Sequence, residues 1–162
     1  MPGCKIDQEA SPQFKKLCEY WKRTYPHIHS DLEDAFQSIR QNINAKDARR
    51  YQGTSVIEVY KYRQNSKDIR RGAKYGWRIY CLYAKERGIL YPIFVYPKPA
   101  LANASDSEIK AAIREIREVL GYCITEGCSG VMKPVEPMLF SDDGSTKVKC
   151  TVCGVFNNRM AP

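Results

Sequence analysis

Four cysteines near the C-terminal end constrain this chain more than any other feature. Four residues lie between Cys123 and Cys128, two between Cys150 and Cys153, and 21 separate the pairs. Such spacings let two thiolates reach one tetrahedral ion, so two pairs predict a zinc site with Cys123, Cys128, Cys150 and Cys153 as ligands. With all four positions filled by protein thiolates, the site is closed and structural. Gly154 after the second pair allows the tight turn of a zinc knuckle. Ser141-Asp142-Asp143-Gly144-Ser145 is a turn signal between strand-like flanks, as in a zinc ribbon. Reduced, buried structural cysteines are the alternative, and two spaced pairs make it the weaker one. A redox role for Cys150 and Cys153 lacks a thioredoxin-like context. Cys4, Cys18 and Cys81 are scattered, and an odd total of seven without an export signal argues against a disulfide framework.

The chain ahead of this module changes period in an ordered way. Ser11-Pro12 reads as an N-cap with proline in the first helical position. Phe14, Leu17, Cys18 and Trp21 then mark the buried stripe of a helix that should stop near Tyr25-Pro26. Ser30-Asp31-Leu32-Glu33 spells a capping box for a second helix, with Leu32, Ala35, Phe36, Ile39 and Ile43 on one face. The short connection predicts an antiparallel helical hairpin. His27 and His29 fall in that connection as surface residues.

Period two takes over afterwards, with strands expected over 54–63, 76–84 and 89–96 and a polar, basic loop over 64–75. Pro92 cannot donate to a ladder, so the third strand must be bulged there or place that position on an edge. Ser105-Asp106-Ser107-Glu108 is a further capping box, opening a helix that ends at Gly121. The reading is an α+β fold, with a basic domain over 1–121 and a zinc-ribbon-like module over 122–162. No apolar run approaches the roughly 20 residues a bilayer span requires, and no secretory h-region opens the chain. A cytoplasmic protein with no membrane partner is expected.

Charge sharpens the functional reading. The chain carries a net +8, yet residues 49–98 hold twelve lysines and arginines against Glu58, Asp68 and Glu86, a net +9. Concentration of this kind suggests a phosphate-facing surface. Tyr60, Tyr62, Tyr75, Trp77, Tyr80 and Tyr83 are interleaved with the cations, which solubility alone does not require. On strand alternation, Lys61 and Arg63 share one face of their strand, and Arg78 and Tyr80 one face of the next. Arg78 is the first choice for stabilising a phosphorane-like transition state, because a guanidinium grips phosphate through two donors. Lys61, Arg63, Arg70, Arg71 and Lys74 are the candidates for holding an RNA backbone.

Lys61-Tyr62-Arg63, Asp68, Arg71-Gly72, Lys74 and Gly76-Trp77-Arg78-Ile79-Tyr80 occur here in a characteristic order. Ile93-Phe94-Val95-Tyr96-Pro97-Lys98 and Ser105-Asp106-Ser107-Glu108-Ile109-Lys110 follow them. Together with the helical hairpin, these residues resemble the RelE/HigB superfamily of type II toxins over about residues 11–120. The resemblance implies a helical hairpin packed on a small antiparallel sheet, followed by a helix. It also implies an endoribonuclease (mRNA interferase) that cleaves message on the ribosome and is neutralised by a cognate antitoxin. Tyr96 and Lys98 are then the acid/base candidates. A non-catalytic nucleic-acid-binding protein, with a degenerate toxin fold and a zinc ribbon, is the alternative. A ParE-like gyrase poison on the same fold is a third reading.

Overall fold

Ser11 starts the first helix as its side chain predicts. Its hydroxyl accepts the Phe14 N–H at 3.2 Å, and Pro12 opens α1 (Pro12–Lys22). The protein is described here from a computed structural model covering residues 3–99, 105–135 and 146–159. Phe14 and Cys18 are the buried positions of α1, which ends three residues before Tyr25.

The second helix, α2 (Ile28–Gln41), departs from its expected start. It begins before Ser30, because the Ile28 side chain is fully buried in the core and draws the first turn back toward His27. His29 therefore belongs to the helix and not to the connection. The capping-box residues turn to other partners. Ser30 Oγ donates to the His27 carbonyl, and Glu33 pairs with Arg40 at 2.6 Å. Asp31 is buried at 1% exposure, where its carboxylate accepts the Trp77 indole N–H at 2.9 Å and the Lys67 amide at 3.2 Å. One carboxylate thus ties α2 to the sheet and to the basic loop. Asp31→Leu should leave both donors buried without an acceptor and cost about 2–4 kcal/mol, while Asp31→Asn should cost less. Urea unfolding of the full chain measures both.

The main sheet has five strands: β1 (Lys5–Ile6), β2 (Arg49–Gly53), β3 (Ile57–Gln64), β4 (Trp77–Ala84) and β5 (Ile89–Pro97). Their order is β1-β5-β4-β3-β2, antiparallel except for β1 beside β5. β3 starts later than its sequence pattern suggests, because Thr54 Oγ1 accepts the Val56 and Ile57 amides and holds those residues in a turn. Pro92 lies at a register shift in β5, where Tyr80 faces Phe94 but Cys81 faces Pro92. The expected bulge is therefore present, within a strand that has neighbours on both sides.

Alternation sorts the two faces. Tyr62, Trp77, Ile79, Cys81 and Val95 form one core with Phe14, Cys18, Ile28, Leu32, Phe36 and Ile39 of the hairpin. The opposite face carries Val59 and Leu82 at one end and Lys61, Arg63, Arg78, Tyr80 and Tyr96 toward the other.

The third helix, α3 (Asp106–Leu120), follows its sequence signals closely. Ser105 Oγ accepts the Glu108 amide and Glu108 accepts the Ser105 amide, completing the capping box. Gly121 stops the helix at φ +81°, a conformation in which a side chain would be strained. The chain divides into two compact units, Met1–Ile116 and Arg117–Pro162, with the boundary inside α3. The second unit contains β6 (Met132–Pro134), β7 (Thr146–Cys150) and β8 (Phe156–Arg159) in an antiparallel sheet ordered β6-β7-β8. The turn expected at Ser141 to Ser145 lies outside the described residues. The fold is mixed α+β, and among the described residues no helix is long and apolar enough to cross a membrane.

Candidate nucleic-acid face and metal centre

Register places a cluster of cations on one face of the main sheet. Lys61 is opposite Tyr80 and Arg49, and Arg63 is opposite Arg78, which in turn faces Tyr96. Opposed residues in a sheet share a face, so these side chains converge. Lys98 joins them just past β5, where its amide donates to Gly76 O at 3.0 Å. Burial, and then Arg78, Lys98, Arg63 and Arg49, depress the pKa of Lys61 below its usual 10.5. Burial and Arg63 likewise make the Arg78 charge less favourable, with Tyr96 and Tyr80 acting the other way. Among the described residues, no carboxylate pairs with Arg49, Lys61 or Arg63. Like charges gathered in this way form an anion-attracting surface.

Aromatic rings line the same face. Tyr80 and Tyr96 stack with ring centroids 6.4 Å apart and planes at 24°, and the Lys61 ammonium sits 5.6 Å above the Tyr80 ring. Tyr51 meets Tyr80 edge-on at 5.4 Å, while its hydroxyl donates to Asp106 Oδ1 at 2.6 Å. Burial, and then Tyr96, push the Tyr80 hydroxyl well above the ordinary phenol range. Tyr80 is therefore neutral at physiological pH.

Arg78 and Tyr96 are more enclosed than their strand pattern suggests. Arg78 is 3% exposed, with Nη1 donating to Ala73 O at 2.9 Å and Nη2 to Lys74 O at 2.6 Å. The guanidinium therefore clasps the end of the basic loop, and Tyr96 beside it is 1% exposed. The loop cations form a separate group. Arg71 and Lys74 lie 4.9 and 5.6 Å from the half-exposed Tyr75 ring. Arg70 is exposed at φ +54°, with Nε donating to Lys67 O. His27 is bound to Asp68 through Nδ1 at 2.7 Å and lies outside the cation cluster.

The second unit gathers the four cysteines that spacing selected. Their sulfurs all lie within 4.8 Å of one another, with Cys123 to Cys153 and Cys128 to Cys150 each at 3.6 Å. Four thiolates at about 2.3 Å from one ion would sit about 3.8 Å apart, so the cluster has the dimensions of a tetrahedral site. Each pair is wrapped by amides. Thr125 N donates to Cys123 Sγ, Gly130 N to Cys128 Sγ, and Val152 N to Cys150 Sγ, each at 3.4 Å. A Cβ at Gly130 would come within 2.3 Å of Cys150 Sγ, so glycine is required for the close approach.

Electrostatics act differently on the individual sulfurs. Burial opposes ionisation of Cys150, but the Val152 and Cys153 amides and the Cys128 and Cys123 thiols outweigh it and bring its pKa to about 6. Burial prevails at Cys123, raising it to about 11 despite donors from Thr125. Arg117, 3% exposed, donates to Cys128 O at 2.6 Å and to Thr125 O at 3.3 Å. Burial makes the Arg117 charge less favourable, and the Cys123, Cys128 and Cys150 sulfurs and Glu126 act against that penalty.

No protein-family model, curated protein or solved structure matches this chain. Its chemistry is therefore read from its own residues. The structure brings Lys61, Arg63, Arg78, Tyr96 and Lys98 into one region, and keeps Arg70, Arg71 and Lys74 on the adjoining loop. Sequence reasoning missed Arg49 and Tyr51 as members of the face, because β2 has no apolar alternation. The available signal was Arg49-Arg50-Tyr51 ahead of Gly53, an edge-strand pattern with a turn after it.

Proposed function

We propose that this protein is a RelE-like toxin that cleaves messenger RNA on the ribosome, is held in check by a cognate antitoxin, and carries structural zinc in its C-terminal unit. The observation that carries the reading is the cluster of Arg49, Lys61, Arg63, Arg78 and Lys98, whose named charged influences on Lys61 are all cationic. Cations gathered in this way attract a polyanion. Attack of an RNA 2′-oxygen on phosphorus needs a base for its proton, an acid for the leaving 5′-oxygen, and cations around the phosphorane. Arg49 and Arg63 serve as phosphate holders. Lys61, whose proton is loosened by burial and by its cationic neighbours, and Lys98 carry the proton transfers. Tyr96 packs behind them, and Arg78 positions the loop while adding charge. The ribosome supplies the orientation of the message that an open sheet face does not.

Enclosure of Arg78 and Tyr96 favours a second reading, a nucleic-acid-binding protein without cleavage. Expression of the wild type without an antitoxin separates the two. Growth arrest, together with cut message on translating ribosomes, is the expected result. A folded protein that binds RNA but leaves ribosome-bound message intact would establish the binding reading instead.

A further inference from the structure

The three-stranded sheet of the second unit carries an exposed aromatic ring that the metal centre does not use. Phe156 is 51% exposed, at the start of β8. In register it faces Lys149, which on its other side faces Lys133, so the three form one row across β6, β7 and β8. Lys147 and Lys149 place their ammonium groups 4.6 and 5.2 Å from the ring centroid. Val152 and Val155, in and just after the Cys150–Cys153 knuckle, are also exposed, at 67% and 37%. The opposite side of β7 is closed, since Val148 and Cys150 are each 3% exposed. One face of this small sheet is therefore buried and carries Cys150, and the other presents a ring between flexible cations.

We propose that this outer face is a second binding surface, on which a base of single-stranded nucleic acid stacks on Phe156 while Lys133, Lys147 and Lys149 hold the flanking phosphates. A ring in this setting accepts any base, because every base has a π-face. The lysines suit a polyanion better than a protein surface. They are long enough to swing from ring to phosphate, so stacking exchanges a cation–π contact for a charge-assisted one. The folded knuckle fixes the ring's position, which limits the ordering cost of binding. This surface belongs to the second unit and the cation cluster to the first, and its existence does not require cleavage.

Fluorescence anisotropy of the full chain with short oligouridine and oligothymidine tests the proposal. The wild type is compared with Phe156→Ala, Phe156→Leu and Lys147→Gln/Lys149→Gln. The same set is repeated on a Lys61→Gln/Arg63→Gln background, so that failure of the main sheet face is not read as failure of this one. Retained metal content shows that each variant keeps the second unit folded. On the weakened background, Phe156→Ala and Phe156→Leu should both lower affinity roughly 10-fold without changing the salt slope. The double lysine variant should weaken binding and make the slope shallower. A preference for oligouridine or oligothymidine identifies the natural strand. Unchanged affinity in Phe156→Ala, or full affinity in Phe156→Leu, would overturn the proposal.

Discussion

Protein purified without chelator should carry about one zinc per chain, and removing it should unfold the C-terminal unit. Thiolate sites of this kind bind zinc with about 10–16 kcal/mol near neutral pH, which exceeds what a three-stranded sheet can supply from its own packing. The amides around the sulfurs, from Thr125, Gly130, Val152 and Cys153, are ordered only while the sulfurs stay in place. Cys150→Ser/Cys153→Ser should therefore lose the metal and hydrogen-exchange protection across β6, β7 and β8. Protection in β3, β4 and β5 should remain, because their core is the hairpin side of the main sheet. Arg117 should be less well offset in that variant, since the Cys150 sulfur is one of the groups that counter its burial. Metal analysis and hydrogen exchange measure both halves. Metal-free protein with full protection in β6 to β8 would mean that the cysteines pack as thiols.

The second large effect belongs to Lys61. If Lys61 transfers a proton, Lys61→Met should lower cleavage on ribosomes by about 100-fold or more, with RNA affinity reduced far less. The same change should make the protein more resistant to urea, because it removes a cation crowded by Arg78, Lys98, Arg63 and Arg49. The sign of the pH dependence follows. Lys61 has a lower pKa folded than unfolded, so between its folded value and about 10.5 the unfolded chain binds more protons. Wild-type stability therefore gains on that of the variant as pH rises through this window, and the variant's advantage is greatest below it. Parallel losses of cleavage and affinity would make Lys61 a phosphate holder only. A wild type no less stable than Lys61→Met at neutral pH would mean the cluster is not under repulsion.

Local chemistry made part of this molecule readable from its residues. Ser11 and Ser105 cap the helices they were expected to cap, since an N-cap depends on neighbours three residues away. The pairing of β3 with β4 and the position of the β5 bulge follow from period two and from Pro92. The cysteine spacing located the four-sulfur cluster. Features that depend on distant partners were not readable. Asp31 spells a cap locally but serves Trp77, 46 residues away. Strands β1 and β2 lie at the sheet margins, where short or polar sequences carry no alternation. Arg78 looks like a surface cation on a strand, and only the return of the basic loop over it turns its donors inward.

The outer margin of β5 bears on how a protein partner can attach. Lys5 N donates to Gly88 O at 3.1 Å, Asp7 N to Leu90 O at 3.0 Å, and the Trp21 indole to Val95 O at 3.2 Å. The carbonyls that would template an incoming strand are thus already taken by the chain's own first residues and by a side chain of α1. At the other margin, β2 presents Arg49 and Arg50 and a register shift between Arg50 and Gln52. Strand addition directly onto β5 is thus hindered at these carbonyls, and the β2 margin is charge-selective. A peptide that augments this sheet at β2 would meet Arg49 and Arg50, which favour acidic side chains.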